Sequence, residues 1–162
     1  SLLRKFSELE IVRRFVEHPK YLPYVTSCNM YFWLPRPLQI FRRKAYWCKR
    51  CPKCVFLFAC FAAFLAVFST CFSAYLSKEE VITMFGADLY TKKRLLPLVR
   101  RILGLEGFKP LDCVGEPEEM ILAMHMGDVR KEYQGEPAME MFKKNFNAGY
   151  NFDELKEKVF ES

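Results

Sequence analysis

Trp47-Cys48-Lys49-Arg50-Cys51-Pro52-Lys53-Cys54 is the stretch on which the reading of this chain turns. Three cysteines stand three residues apart, and a fourth, Cys28, lies upstream. A thiolate metal site needs four soft ligands on a tetrahedron, with sulfur about 2.3 Å from zinc. A Cys-x-x-Cys turn brings two sulfurs to one side of the metal. The next x-x-Cys step supplies a third, and Cys28 closes the shell from the opposite side. Cys28, Cys48, Cys51 and Cys54 are therefore the candidate metal ligands. Structural zinc is the favoured occupant, with an iron–sulfur cluster as the alternative open to the same donors. Four protein thiolates leave no open position for a catalytic water. Lys49, Arg50 and Lys53 lie between the ligands and are expected to offset part of the thiolate charge. Charges interleaved in this way argue against cysteines that merely pack a core.

The bulk properties bound the rest. A chain of 162 residues, 51% hydrophobic, makes one domain or one lobe of something larger. The net charge is +6, unevenly spread: residues 1–54 hold 12 Lys/Arg against 3 Asp/Glu, and the remainder 13 against 16. A basic first third suits a polyanionic partner such as a nucleotide, a nucleic acid or acidic lipid, against the plainer reading of solubilising charge. Seven cysteines is an odd count, and the start shows no secretory pattern. That speaks against a secreted disulfide framework and for a reducing, cytoplasmic setting. The start at Ser1, with a helix signal within six residues, reads as a piece cut from a longer protein.

Three stretches follow from the patterning. Residues 1–54 hold a capped helix, an aromatic and basic loop, and the four-cysteine knuckle. Ser7 and Glu10 are spaced as a capping box, with Phe6 and Ile11 at the staple positions and Pro19 as the stop. Between residues 19 and 47, aromatic residues alternate with Arg36, Arg42, Arg43 and Lys44, the candidate phosphate-binding residues. Such a mixture can stack bases and grip phosphates, or pack aromatics under a solvated edge. One short strand is expected within Met30–Ile40.

Residues 55–126 are expected to form a helical core. Val55–Leu76 carries no charge over 22 residues, long enough to span a membrane, and six Lys/Arg precede it. Yet Cys60-Phe61-Ala62-Ala63-Phe64-Leu65 recurs as Cys71-Phe72-Ser73-Ala74-Tyr75-Leu76. Eleven residues are about three helical turns, so both copies present one face. A duplicated buried helix is preferred to a span at 55–76, with Cys60 and Cys71 as packing residues. Ser77 and Glu80 then open a helix that stops at Gly86, Leu95–Leu103 forms the next, and Glu116-Pro117-Glu118-Glu119 opens a helix through Met126. His125 on that helix reads as a packing or surface histidine. Residues 127–162 are a polar helical tail, expected to be partly mobile, with helices at Pro137–Phe146 and Phe152–Val159.

Several phrases resemble a known family. Phe6-Ser7-Glu8-Leu9-Glu10-Ile11, Ser27-Cys28-Asn29, the cysteine stretch through Phe56, Leu76-Ser77-Lys78-Glu79-Glu80, Phe85-Gly86 and Lys109-Pro110-Leu111-Asp112-Cys113-Val114-Gly115-Glu116 are similar to the bacterial UDP-N-acetylmuramoyl-L-alanyl-L-glutamate epimerases. The helix at Lys5–Ile11 and the cysteine site also resemble PP-loop ATP pyrophosphatases of the 7-cyano-7-deazaguanine synthase type. The resemblance implies a mainly α fold: a small helical lobe with a four-cysteine zinc knuckle, forming the C-terminal portion of a larger α/β protein. It implies ATP and Mg as requirements of the full-length protein and a UDP-muramoyl dipeptide as substrate in peptidoglycan synthesis. Cys113, Asp112 and Glu116 become candidate bases, and Lys109 a candidate for stabilising an enolate or a phosphate. The phosphate-gripping Ser-Gly-Gly-x-Asp-Ser loop is absent from the sequence. The resemblance places it upstream and implies that this piece alone does not hydrolyse ATP. The competing readings are a zinc-stapled nucleic-acid or partner-binding module and another PP-loop pyrophosphatase.

Overall fold

The computed structural model describes residues 5–32, 47–64, 76–107, 114–146 and 149–160, with the side chains of residues 31 and 32 left aside. The fold is mainly α. In chain order the helices are α1 (Glu8–Val16), α2 (Asn29–Phe32), α3 (Pro52–Ala62), α4 (Lys78–Phe85), α5 (Leu96–Ile102), α6 (Pro117–Val129), α7 (Pro137–Asn145) and α8 (Phe152–Phe160). Short 3-10 helices run over Pro19–Tyr24 and Lys93–Leu95. Among the described residues there is no β-strand beyond an isolated bridge at Leu76. The strand expected within Met30–Ile40 is corrected over residues 30–32, which are helical; 33–40 lie outside the described residues.

The sequence of α3 explains the layout. Every residue from Lys53 to Ala62 is buried, so this helix has no polar face and must be surrounded. It packs against α1, α4, α5 and α6. Each large apolar side chain removed from water contributes about 1.5–3 kcal/mol. Phe58 sits at the centre of an aromatic cluster, edge-on to Phe85, Tyr90 and Tyr133 at 5.3, 5.0 and 5.9 Å between ring centroids. The burial continues through Ala63 and Phe64. The second repeat copy, apart from Leu76, falls outside the described residues, so its placement is not part of the structure. No helix among the described residues is long and apolar enough to cross a membrane.

Local signals place most helix ends. Ser77 and Glu80 close a full capping box, and Gly86 ends α4 in the left-handed region at φ 69°. At α1 the box is only half formed. The Ser7 hydroxyl accepts from the Glu10 amide, but the Glu10 carboxylate turns to Arg13 and Arg14. Two guanidiniums one turn along hold that acid more strongly than one backbone amide. They also keep its carboxyl below the ordinary carboxylate range, with the Arg13 hydrogen bond as the largest cause.

The tail helices join the same core. Ala138, Met139 and Phe142 of α7 and Leu155 and Val159 of α8 are buried. Asn151 caps α8, accepting from the Glu154 amide at 3.2 Å. Phe152 stacks on the His125 imidazole at 3.6 Å with planes 5° apart.

Gly115 holds a close approach. A Cβ there would stand 2.5 Å from Phe56 Cζ and 2.7 Å from Glu119 Oε1. Gly115→Ala should therefore destabilise the fold by about 1–3 kcal/mol, read as a lowered midpoint in urea at unchanged slope. The stacked His125 supplies a pH test. Burial lowers its pKa from 6.5, so the unfolded chain takes up a proton more readily than the folded one. Its contribution is present above pH 6.5 and is lost as pH falls through the lower folded value. His125→Phe keeps the stack and should remove this part of the acid sensitivity in thermal melts between pH 7 and 5.

Candidate metal centre and the surrounding site

The four cysteines converge as the spacing predicts. Their sulfurs all lie within 4.8 Å of one another. Cys51 to Cys54 is 3.4 Å, Cys48 to Cys54 is 3.7 Å, and Cys28 to Cys51 is 4.0 Å. A tetrahedron with metal–sulfur bonds near 2.3 Å has edges of about 3.8 Å. The separations therefore bracket what one four-coordinate ion requires, and the donor set fits a metal.

The backbone builds the cluster. Lys49 adopts φ 63°, a left-handed turn that bends the chain between Cys48 and Cys51. The Cys51 amide points at Cys48 Sγ, and the Cys48 amide at Cys28 Sγ, each at 3.3 Å. Cys51 is the N-cap of α3, and Pro52 occupies the first helical turn, where a missing amide costs nothing. Cys54 sits one turn in. The positive end of α3 thus lies beside the sulfurs and favours their thiolate forms. Trp47, buried against Phe85 with centroids 4.4 Å apart, ties the knuckle to α4.

The thiols share protons unequally. The hydrogen bond with Cys54 pulls Cys51 down to about 4. The same bond, together with burial, pushes Cys54 up, and burial raises Cys48. A metal ion bound there would replace these shared protons.

Two of the interleaved cations bond groups away from the sulfurs. The Lys53 ammonium is nearly buried and bonds both oxygens of Glu8 at 2.6 Å, joining α3 to α1. The Lys49 ammonium donates to the Gly86 carbonyl at 3.2 Å. Among the described residues neither bonds a sulfur. The bonds to sulfur come from backbone amides, which the turn holds in place without side-chain ordering.

Of the other candidates, Glu116 is described. It is the N-cap of α6 in a reciprocal box with Glu119. Lys109, Asp112 and Cys113, and the basic set Arg36, Arg42, Arg43 and Lys44, lie outside the described residues. The sequence reading missed Glu119. Only 7% exposed, it accepts from the amides of Leu9 at 2.9 Å and Glu116 at 3.1 Å. Burial raises its pKa. The signal in the sequence was an acid at the third position of α6, which helix-dipole reasoning alone accounts for.

Fold and site together define a helical domain built around a four-cysteine cluster that could hold a metal. The chain belongs to the MurL C-terminal domain family, whose model matches residues 24–157. It is 35% identical over 139 residues to a UDP-N-acetyl-alpha-D-muramoyl-L-alanyl-L-glutamate epimerase of Micromonospora sp., covering 86% of this chain and 27% of that one. It is 37% identical over 126 residues to the protein of the same name from Salinispora tropica, covering 78% and 24%. The Xanthomonas oryzae pv. oryzae protein of that name is 30% identical over 142 residues, covering 88% and 28%. The chain thus spans about a quarter of the length of these relatives. No solved structure matches it.

Purified protein should carry about one metal ion per chain by elemental analysis. Cys28→Ser, which removes the ligand furthest away in sequence, should weaken retention against a chelator by more than about tenfold. Full metal content after that substitution would remove Cys28 from the ligand set.

Proposed function

We propose that the full-length protein is an ATP-dependent epimerase that inverts the terminal L-glutamate of UDP-MurNAc-L-Ala-L-Glu in peptidoglycan synthesis, and that this chain is its metal-bearing helical lobe. The observation that carries the reading is the family match over residues 24–157, together with three relatives that bear that activity in their names. The ion is proposed to be zinc, the usual occupant of four thiolates. Bound there, it would staple Cys28 to the knuckle and carry no open site. The elemental analysis reads its identity, zinc against iron. The reading also places the protein in the cytoplasm, where thiols stay reduced.

Inversion needs an acidified Cα–H and a base on each face. Transfer of AMP from ATP to the glutamate carboxylate, with pyrophosphate leaving, withdraws charge from that carbon; Mg, when bound, would neutralise phosphate charge. One base then takes the α-proton, a second group delivers a proton to the opposite face, and water releases AMP from the acyl carbon. The stretch 109–116 holds the candidate groups. Cys113 and Asp112 are proposed as bases, Lys109 as the group that stabilises the enolate or a phosphate, and Glu116 as an acid held in place by its capping bonds at the start of α6. Arg36, Arg42, Arg43 and Lys44 are proposed to meet the phosphates of the nucleotides.

The test uses the full-length protein with ATP, Mg and the L-glutamate-ended precursor in deuterated water. AMP and pyrophosphate should appear only with that precursor, and deuterium should enter the α-carbon. Cys113→Ala should lower exchange by about 100-fold or more if Cys113 is a base. Absence of both AMP release and exchange, with modification of a deazapurine or binding of tRNA instead, would overturn the reading.

A further inference from the structure

We propose that a second site, between the metal knuckle and α5, binds the diphosphate group of a nucleotide through Arg50, Arg94 and Arg101. A cavity of about 350 Å³ opens there, lined by these three arginines with Leu95, Pro97 and Leu98. That volume is near the lower end of small-ligand sites, which run from about 300 to 1,000 Å³.

The arrangement follows from the local sequence. Residues 89–105 carry five Lys/Arg and no Asp/Glu. Residues 94, 97, 98 and 101 follow the i, i+3, i+4, i+7 spacing that puts side chains on one helical face. Arg94, in the 3-10 turn Lys93–Leu95, and Arg101, in α5, both line the cavity with Pro97 and Leu98. Arg50 reaches the same cavity from the loop between Cys48 and Cys51.

Charge complementarity selects the ligand. Among the described residues, Arg50 and Arg94 have no ion pair, and Arg101 has one exposed pair with Glu106 at 3.5 Å. Three guanidiniums converging on one small cavity match the two to three negative charges of a diphosphate. Planar forks bind phosphate oxygens two at a time, which an ammonium cannot do. The apolar lining of Leu95, Pro97 and Leu98 gives a surface for the adjoining ribose or base. A cavity this small does not track a polymer.

The arginine cavity stands on charge and shape, and the choice of uridine and adenosine nucleotides rests on the epimerase reading. The diphosphate is common to uridine and adenosine nucleotides, and the test separates them. Arginine labelling with phenylglyoxal, read residue by residue by mass spectrometry, would be run on the full-length protein with inorganic pyrophosphate, UDP, ADP or matched sodium chloride. Arg50, Arg94 and Arg101 should be protected about fivefold or more by the diphosphates, while Arg100, which does not line the cavity, should not. Stronger protection by UDP than by ADP assigns the site to the uridine nucleotide, and the reverse to the adenosine nucleotide. In Arg94→Gln/Arg101→Gln, with the helical circular dichroism unchanged, protection of Arg50 should disappear. Equal labelling of the three arginines with and without every diphosphate would overturn the site, as would protection by RNA but by no mononucleotide. Neither result depends on turnover, so this site and the epimerase reading can fail separately.

Discussion

A helix with no polar face cannot lie at a surface, and α3 is such a helix: Lys53 through Ala62 are all buried. The rest of the fold answers that constraint. Four other helices pack on it, each presenting an apolar stripe. Its first turn raises a second demand. The leading amides of any helix lack partners within it, and at a buried N-terminus water cannot supply them. Here the cysteine cluster stands at that end. Sulfur accepts from the amides of Cys48 and Cys51, which precede the first turn of α3, and negative charge on the thiolates is favoured by the helix dipole. The cysteine cluster thus sits at the start of α3, and an ion bound there would brace that start.

Glu119 solves a related problem on the other side of α3. A carboxylate taken from water loses several kcal/mol of solvation, and each charge-assisted hydrogen bond returns about 1.5–3. It receives amides from Leu9 and Glu116, and its pKa is still raised, with burial as the largest cause. Desolvation therefore outweighs the bonds. What the group provides is geometry. One carboxylate satisfies amides at the N-termini of α1 and α6 together, and Gly115 must lack a side chain because Phe56 and Glu119 already occupy that space.

These two centres differ in how far the sequence discloses them. The cysteines announce themselves through spacing, and the Ser77–Glu80 box and Gly86 stop place α4 to the residue, because such signals are local. Glu10 misleads for a physical reason: a capping acid is spaced identically to one that pairs with Arg13 and Arg14, and only the competition decides. Glu119 is illegible because its partner Leu9 stands 110 residues away. The destinations of Lys49 and Lys53 are hidden for the same reason. The arginines at 94 and 101 were overlooked because charge was weighed over long stretches, where the acidic helices that follow cancel it.

Arg50 connects the cysteine cluster to those arginines. Arg94 belongs to the 3-10 turn Lys93–Leu95 and Arg101 to α5, whereas Arg50 stands in the turn between Cys48 and Cys51. A flexible loop would hold its guanidinium loosely, and immobilising such a side chain on binding costs about 0.5–1.5 kcal/mol. An ion bound to both Cys48 and Cys51 would order the backbone at Arg50 before any ligand arrives, and the Lys49 ammonium adds a bond from the same turn to the Gly86 carbonyl. Part of that cost is then met when the domain folds. A structural metal with no open coordination position can in this way serve binding chemistry it never touches, by fixing the direction from which the third arginine approaches.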